Sequence, residues 1–309
     1  MDRKTIKIGV LNYQGCLQSA AFGLQEMFVL ANRLFTEQKL AVEFQCELLT
    51  TDVLPEMAYA VLLIPPSGPT HAYLQEDKSI TAWLLEQYQQ GCVLASACAG
   101  AFILARTGLL NKRSCTTHWG LETSFREHFP QAELKTEAIL LNHGDIMTAG
   151  GMMSWLDLGF EVVTQFSTLS VLRQLGRILV IDTGPREQRF YRTFKPNFQH
   201  GDETIVSVQQ YLGSHFYLAI GMNELAQRAC LSERTLQRRF LKATGLGANQ
   251  YLQRLRVQKA CDLLESSQQT FETIAYDVGY QDAGSFRKLF VREMGLSPKV
   301  FREKFRTLI

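Results

Sequence analysis

Two stretches about 50 residues apart repeat one pattern. They are ELAQRACLSERTLQRRFLKATGL (224–246) and TIAYDVGYQDAGSFRKLFVREMGL (273–296). Each reads as a short helix, a tight turn and a second helix. In the first, Asn223 is placed to cap ELAQRAC and Ser232 to cap ERTLQRRFLKAT. Leu236, Phe240 and Leu241 fall on one side of that second helix, and Arg234, Gln237, Arg238 and Lys242 on the other. In the second stretch the turn falls at Gly279-Tyr280 and a helix begins near Asp282, with Phe286, Leu289 and Phe290 as its apolar stripe. Ser285, Arg287, Lys288 and Arg292 point elsewhere, and a long helix over 247–265 joins the two stretches. Packing alone gives an all-α bundle no reason to place two such units in register. A helix that buries one side and presents Arg and Gln on the other fits a DNA major groove, where those side chains pair bidentately with guanine and adenine.

The rest of the chain follows a different grammar. At 309 residues two domains are expected. The first ~195 residues alternate apolar, β-branched runs with amphipathic helical runs, as in an α/β layered domain. Strands are expected at 6–13, 42–50, 60–66, 92–97 and 114–119, and a hairpin over 138–151. Helices are expected at 20–35, 78–91, 121–130, 152–166 and 168–181. A polar stretch with Gly and Pro over about 182–204 then separates the α/β part from a purely helical one. The expected division is 1–195, a linker at 196–204, and 205–309.

Charge follows the same division. Residues 203–309 hold 15 Lys and Arg against 10 Asp and Glu, a balance of +5, and the remainder balances at −3. A basic helical third suits a polyanionic partner. The start, MDRKTIKIGV, is no export signal, and no apolar run approaches the ~20 residues of a membrane helix. Seven scattered cysteines are then expected as free thiols in the cytoplasm, and none of their spacings suggests zinc.

One cysteine stands apart. The run CVLASA ends on Cys98, turns through Ala99-Gly100 and continues into the helical run AFILARTGLL. A cysteine on a strand-to-helix turn is a common seat for a nucleophile, and it is also a common place for an inert buried thiol. His118 and Trp119, and Ser67 in the loop PPSGPTH (65–71), are candidates to line a cleft with it, because open α/β sheets form clefts at the C-terminal ends of their strands.

The tandem helical part resembles the DNA-binding domain of the AraC/XylS transcription regulators. The resemblance covers about 100 residues and rests on LSERTLQRRFLKATG, YLQRLRVQKACDLL and IAYDVGYQDAGSFRKLFVREMGLSPKVFR. Carried over residue by residue, it implies Arg234, Gln237 and Arg238 as base readers of the first unit and Ser285, Arg287 and Lys288 of the second. Arg239 and Arg292 are implied as phosphate contacts. Ala283 and Gly284 are shorter than the polar side chains some relatives carry there, so the second helix is expected to read fewer bases. Phe240, Phe286, Phe290 and Phe301 are expected in the core.

The elbow SACAGAF, with CTTHWGLE (115–122) and IMTAGGMMSWLDLG (146–159), resembles PfpI-type, class I glutamine amidotransferase-like domains of flavodoxin-like sandwich fold. Both resemblances together identify the chain as similar to GlxA-like regulators. PfpI-type enzymes set a carboxylate from the first helix beside the elbow thiol; here that position falls on Ala20. The missing carboxylate implies no enzymatic activity and no cofactor. The domain is expected to sense a small effector, such as a nitrogenous metabolite, through Cys98, Ala99, His118, Trp119 and Ser67. The resemblance further implies a cytoplasmic homodimer that binds double-stranded promoter DNA, contacts RNA polymerase and activates transcription. Two alternatives stay open: a Cys98-dependent hydrolase or hydratase fused to a DNA-binding domain, or an N-terminal domain used only for dimerisation.

Overall fold

Six of the apolar runs form one sheet. In chain order the strands are β1 (Lys4–Asn12), β2 (Val42–Thr50), β3 (Val61–Ile64), β4 (Val93–Ala97), the short β5 (Ser114–Cys115) and β6 (Glu133–Leu134), β7 (Leu140–Asn142) and β8 (Ile146–Ala149). The sheet runs β2-β1-β3-β4-β8-β7, parallel except for β7, which closes an antiparallel hairpin with β8; β5 and β6 pair separately. The strand expected over 114–119 is therefore only two residues long. Its continuation, Thr116 and Thr117, is buried but bonds through side chains: the Thr116 N–H donates to Thr148 Oγ1 at 2.9 Å and Thr117 Oγ1 to the Cys98 carbonyl at 2.7 Å. Every residue of β3 and β8 is buried, as a parallel sheet covered on both faces requires.

The helices of this part are α1 (Gln18–Glu37), α2 (Lys78–Gln89), α3 (Gly100–Arg106) and α4 (Glu122–His128) between strands, and α5 (Trp155–Phe166) and α6 (Leu169–Leu179) after β8. α1 packs with α5 and α6, and α2 with α3. Asp77 caps α2, accepting from the Ser79 and Ile80 N–H groups. At the sheet edge the Asn32 carboxamide of α1 bonds both the N–H and the C=O of Phe44 at 2.8 Å, so a side chain takes the place of a further strand there. Trp83 and Trp155 are buried.

This computed structural model describes residues 3–68, 71–184 and 187–306, and the chain divides into two units, Met1–Gln188 and Arg189–Ile309. Pro69 and Thr70 of the PPSGPTH loop, and Pro185 and Arg186 of the polar stretch, lie outside the described residues.

The second unit holds α7 (Glu203–His215), α8 (Met222–Arg228), α9 (Glu233–Thr244), α10 (Ala248–Ser266), α11 (Phe271–Asp277), α12 (Ala283–Met294) and α13 (Pro298–Phe305). The repeat seen in the sequence is a repeat of boundaries. Ser232 caps α9 and Asp282 caps α12, and both helices end on a left-handed glycine, Gly245 and Gly295. Asn223 caps nothing, because α8 begins one residue earlier and Gly221 is its N-cap. Leu236 and Phe240 are buried, but Leu241 is 55% exposed: it lies five residues beyond Leu236, ~140° around the helix. Phe240 meets Tyr251 edge-on in one half and Phe290 meets Phe301 edge-on in the other. α10 serves both cores, Leu252 and Leu255 in the first, Ala260, Cys261 and Leu264 in the second.

Candidate functional site

On α9, Arg234, Gln237 and Arg238 are exposed, opposite the buried Leu236 and Phe240. Arg239 differs from its neighbours. One step further round the helix, it is half-buried and its guanidinium grips the Asp202 carboxylate, Nε to Oδ2 at 2.9 Å and Nη2 to Oδ1 at 2.5 Å. This pairing holds the Asp202 carboxyl below the usual carboxylate range. A residue expected at the phosphates is thus engaged inside the unit.

On α12, Ser285, Arg287, Lys288 and Arg292 are all exposed. Arg287 bonds Glu272 at 2.8 Å and lies over the Phe271 ring at 5.2 Å, while Arg292 bonds Glu293 at 3.2 Å. Such exposed pairs contribute little and can be exchanged for a phosphate or a base. The Ser285 hydroxyl, then the backbone N–H groups of Ser285 and Gly284, hold the Asp282 carboxyl below its ordinary range.

The composition gave no hint of Arg256. From α10 its Nε donates to the Phe216 carbonyl at 2.7 Å and its Nη2 to the Leu218 carbonyl at 2.8 Å, and it lies over the Tyr280 ring at 5.2 Å. It ties the end of α7 to the turn of the second helix pair. A half-buried arginine inside YLQRLRVQKACDLL was the one available signal.

In the first unit the elbow is a strained turn. Cys98 has φ +53°, donates its N–H to the Ala149 carbonyl at 2.7 Å and accepts from Thr117. Gly100 follows because a Cβ there would sit 2.5 Å from the Ile64 carbonyl oxygen and 2.7 Å from that of Pro65. Cys98, Ala99 and Ser67 are nearly fully buried, and His118 and Trp119 half-buried. Burial pushes the Cys98 thiol up to about 11, against a smaller pull down from the Ala99 backbone. Burial also lowers the His118 pKa. Its Nδ1 accepts from the Gly120 N–H at 2.9 Å, which places the ring proton on Nε2. Ala20 is buried.

A cleft of about 290 Å³ is lined by Gln14, Gly15, His71, Ala72 and Gln75, and by none of Cys98, Ala99, Ser67, His118 and Trp119. These residues follow β1 and β3, where the strand order reverses, which is where doubly wound sheets bind ligands. Ser67 is the link to the expected residues: its hydroxyl donates to the Gly15 carbonyl at 3.2 Å. Behind it, burial first and the Cys98 sulfur second raise the pKa of Tyr73. Of the lining residues, sequence reading reached only His71. The buried Gln188 amide also escaped it: Nε2 donates to the Thr116 hydroxyl and the Thr117 and Ala138 carbonyls, and Oε1 accepts from the Trp119 N–H.

Cys98 and Cys230 make a direct comparison. Cys230 is exposed and Cys98 buried, so iodoacetamide near neutral pH is expected to label Cys230 first and to spare Cys98 until the chain unfolds. Time-resolved mass spectrometry of the tryptic peptides reads this. Fast labelling of Cys98 would mean an activated thiol.

Two family models match the chain: the DJ-1/PfpI family over residues 19–165 and a helix-turn-helix domain over residues 225–304. The HTH-type transcriptional regulator GbdR of Pseudomonas aeruginosa is 22% identical over 256 residues, 82% of this chain and 70% of that one. The HTH-type transcriptional activator RhaS of Escherichia fergusonii is 41% identical over 93 residues, 30% of this chain and 34% of that one. A crystal structure of a protein from Vibrio parahaemolyticus matches with a TM-score of 0.50 and 20% identity, covering 57% of this chain and all of that one. Among the described residues no helix is long and apolar enough to cross a membrane, and no group of three or more His, Cys, Asp and Glu is placed to hold a metal ion.

Proposed function

Since this chain belongs to the AraC-family DNA-binding transcription regulators that carry a DJ-1/PfpI domain ahead of their helix-turn-helix units, we propose that a small metabolite controls it without being turned over. The observation that carries this reading is the pairing of a cleft at the β1/β3 switch point with an elbow thiol unfit for attack. A nucleophile at pH 7 needs a thiolate and a partner base. Cys98 is held as a thiol by burial, and Ala20 stands where a carboxylate would. His118 stays neutral, with one ring nitrogen already used. Of the expected pocket residues, Ser67 supports the cleft through the Gly15 carbonyl, while Cys98, Ala99, His118 and Trp119 stand outside its lining.

The effector is a small polar, nitrogenous metabolite that fits a lining of two glutamines and a histidine. It works by differential affinity for the DNA-competent and incompetent states of a cytoplasmic homodimer. Arg234, Gln237 and Arg238 read bases in one groove and Ser285, Arg287 and Lys288 in the next, while Arg292 meets phosphate. The DNA-bound protein recruits RNA polymerase and activates transcription.

The test is a thermal-shift screen of the full chain against amino acids, polyamines and betaines. A ligand at ~100 times its Kd stabilises the folded state by ~2.7 kcal/mol. The expected result is a saturable shift that Gln75→Ala or His71→Ala abolishes and Lys288→Ala leaves intact. A flat screen with DNA binding retained would leave the first unit as a dimerisation module.

A further inference from the structure

The polar stretch that opens the second unit has the composition of a tether, but Phe194, Asn197, His200 and Asp202 are bonded into its helices. The Phe194 N–H donates to Gln258 Oε1 of α10 at 2.8 Å, and the Phe194 ring meets Tyr251 edge-on at 5.0 Å. The buried Gln209 side chain of α7 donates to the Asn197 carbonyl at 3.1 Å and to the Tyr251 hydroxyl at 3.2 Å. Its Oε1 bonds His200 Nε2 at 2.8 Å, and His200 Nδ1 accepts from the Asp202 N–H at 3.2 Å. The sequence of contacts ends on Asp202, which does two things: it caps α7 through the Ile205 N–H, and it holds Arg239 of α9 through two parallel hydrogen bonds.

We infer that residues 194–202 brace the DNA-binding unit, and that Asp202 is a positioning residue for base reading by α9. The argument is geometric. Arg239 sits between Arg238, which faces solvent, and Phe240, which is fully buried. A single charge could swivel; a bidentate guanidinium–carboxylate pair fixes both distance and plane. Held at Arg239, α9 cannot roll about its axis, and rolling is the motion that would turn Arg234, Gln237 and Arg238 away from base edges. α12 is held differently: Leu289 stands at the position matching Arg239, Glu293 meets Arg254 of α10 only at 3.8 Å, Asp282 caps its own helix, and Arg287 pairs with Glu272 at an exposed site. The brace therefore acts on one half of the recognition surface. It rests on the reading that α9 and α12 face DNA.

The experiment uses full-length chains and a random duplex pool from which each chain selects its sites. Arg238→Ala and Lys288→Ala mark which half of the selected site α9 and α12 read. Asp202→Asn is the informative variant, because asparagine can keep the α7 cap through its one oxygen while the charge and the second acceptor for Arg239 are lost. The expected result is that Asp202→Asn loses base preference in the half that Arg238→Ala loses, keeps it in the other, and binds the wild-type site about tenfold more weakly. Arg239→Met gives the same pattern, and the double variant is no worse than either single one. Amide exchange without DNA is expected to rise in α9 and not in α12. Unchanged preference in Asp202→Asn, or equal loss in both halves, overturns the inference. So does a lower salt dependence in Arg239→Met alone, which makes Arg239 a phosphate contact. A wild-type chain that selects no sequence, with the exchange pattern still present, removes the DNA-reading premise and the positioning role with it.

Discussion

Replacing Gly279 with alanine is expected to destabilise the helix-turn-helix unit by about 3 kcal/mol and to lower its unfolding midpoint by roughly 10 °C. Two costs add. Gly279 has φ +91°, a region an L residue enters at about 1–2 kcal/mol. A Cβ there would also sit 2.5 Å from the Tyr217 carbonyl oxygen and 2.8 Å from its carbon, both backbone atoms that cannot swing aside. Arg256 Nη2 closes the third side at 3.0 Å, and Arg256 is itself committed to the Phe216 and Leu218 carbonyls. The displaced turn would carry α12 with it, so sequence-specific binding is expected to fall in parallel. Gly245→Ala is the internal control. Gly245 also has positive φ, +71°, but nothing lies within 4 Å of its Cβ position. It should lose only the conformational cost, about 1 kcal/mol. Thermal melts of both variants decide the point: equal losses would mean that the close approach to Tyr217 contributes nothing.

That pair of glycines also shows what could be read from the chain before it folded. Boundaries written in local chemistry were legible. Ser232 and Asp282 before basic helices, and Gly245 and Gly295 after them, announce two units of one kind, and the structure places each at its cap. The strand run ending on Cys98 was legible for the same reason, since apolar residues before a turn and Gly100 after it force a sharp change of direction. Features that depend on pairing across the fold were not. Gln14 and Gln75 share a cleft only because β1 and β3 are adjacent, and no local pattern encodes that adjacency. Asn197, His200 and Asp202 read as solvated linker because polar composition is silent on whether a side chain meets water or Gln209 and Arg239. Leu241 erred the other way: a stripe carried by Leu236 and Phe240 is narrow, and one residue at its margin falls to solvent.

Arg238→Ala is expected to weaken binding to the selected duplex about 10- to 100-fold, the ~1–3 kcal/mol that one bidentate base contact contributes, and to leave unrelated duplex nearly unaffected. One feature sets Arg238 apart from Arg239, Arg287 and Arg292, which pair within the protein. It makes no ion pair among the described residues, so binding need not break an internal partner first. Arg239 and Arg287 must each release or keep a carboxylate, which blunts whatever a substitution there removes. Truncating an exposed side chain also leaves no cavity, so folding stability should stay within about 0.5 kcal/mol and cannot account for the loss. Fluorescence anisotropy against the selected and a scrambled duplex, repeated over a range of salt, separates the possible roles. A base reader lowers affinity for one duplex and leaves the salt slope in place. A phosphate contact lowers both affinities together and reduces the slope by about 0.9, and that outcome would move specific reading on α9 to Arg234 and Gln237.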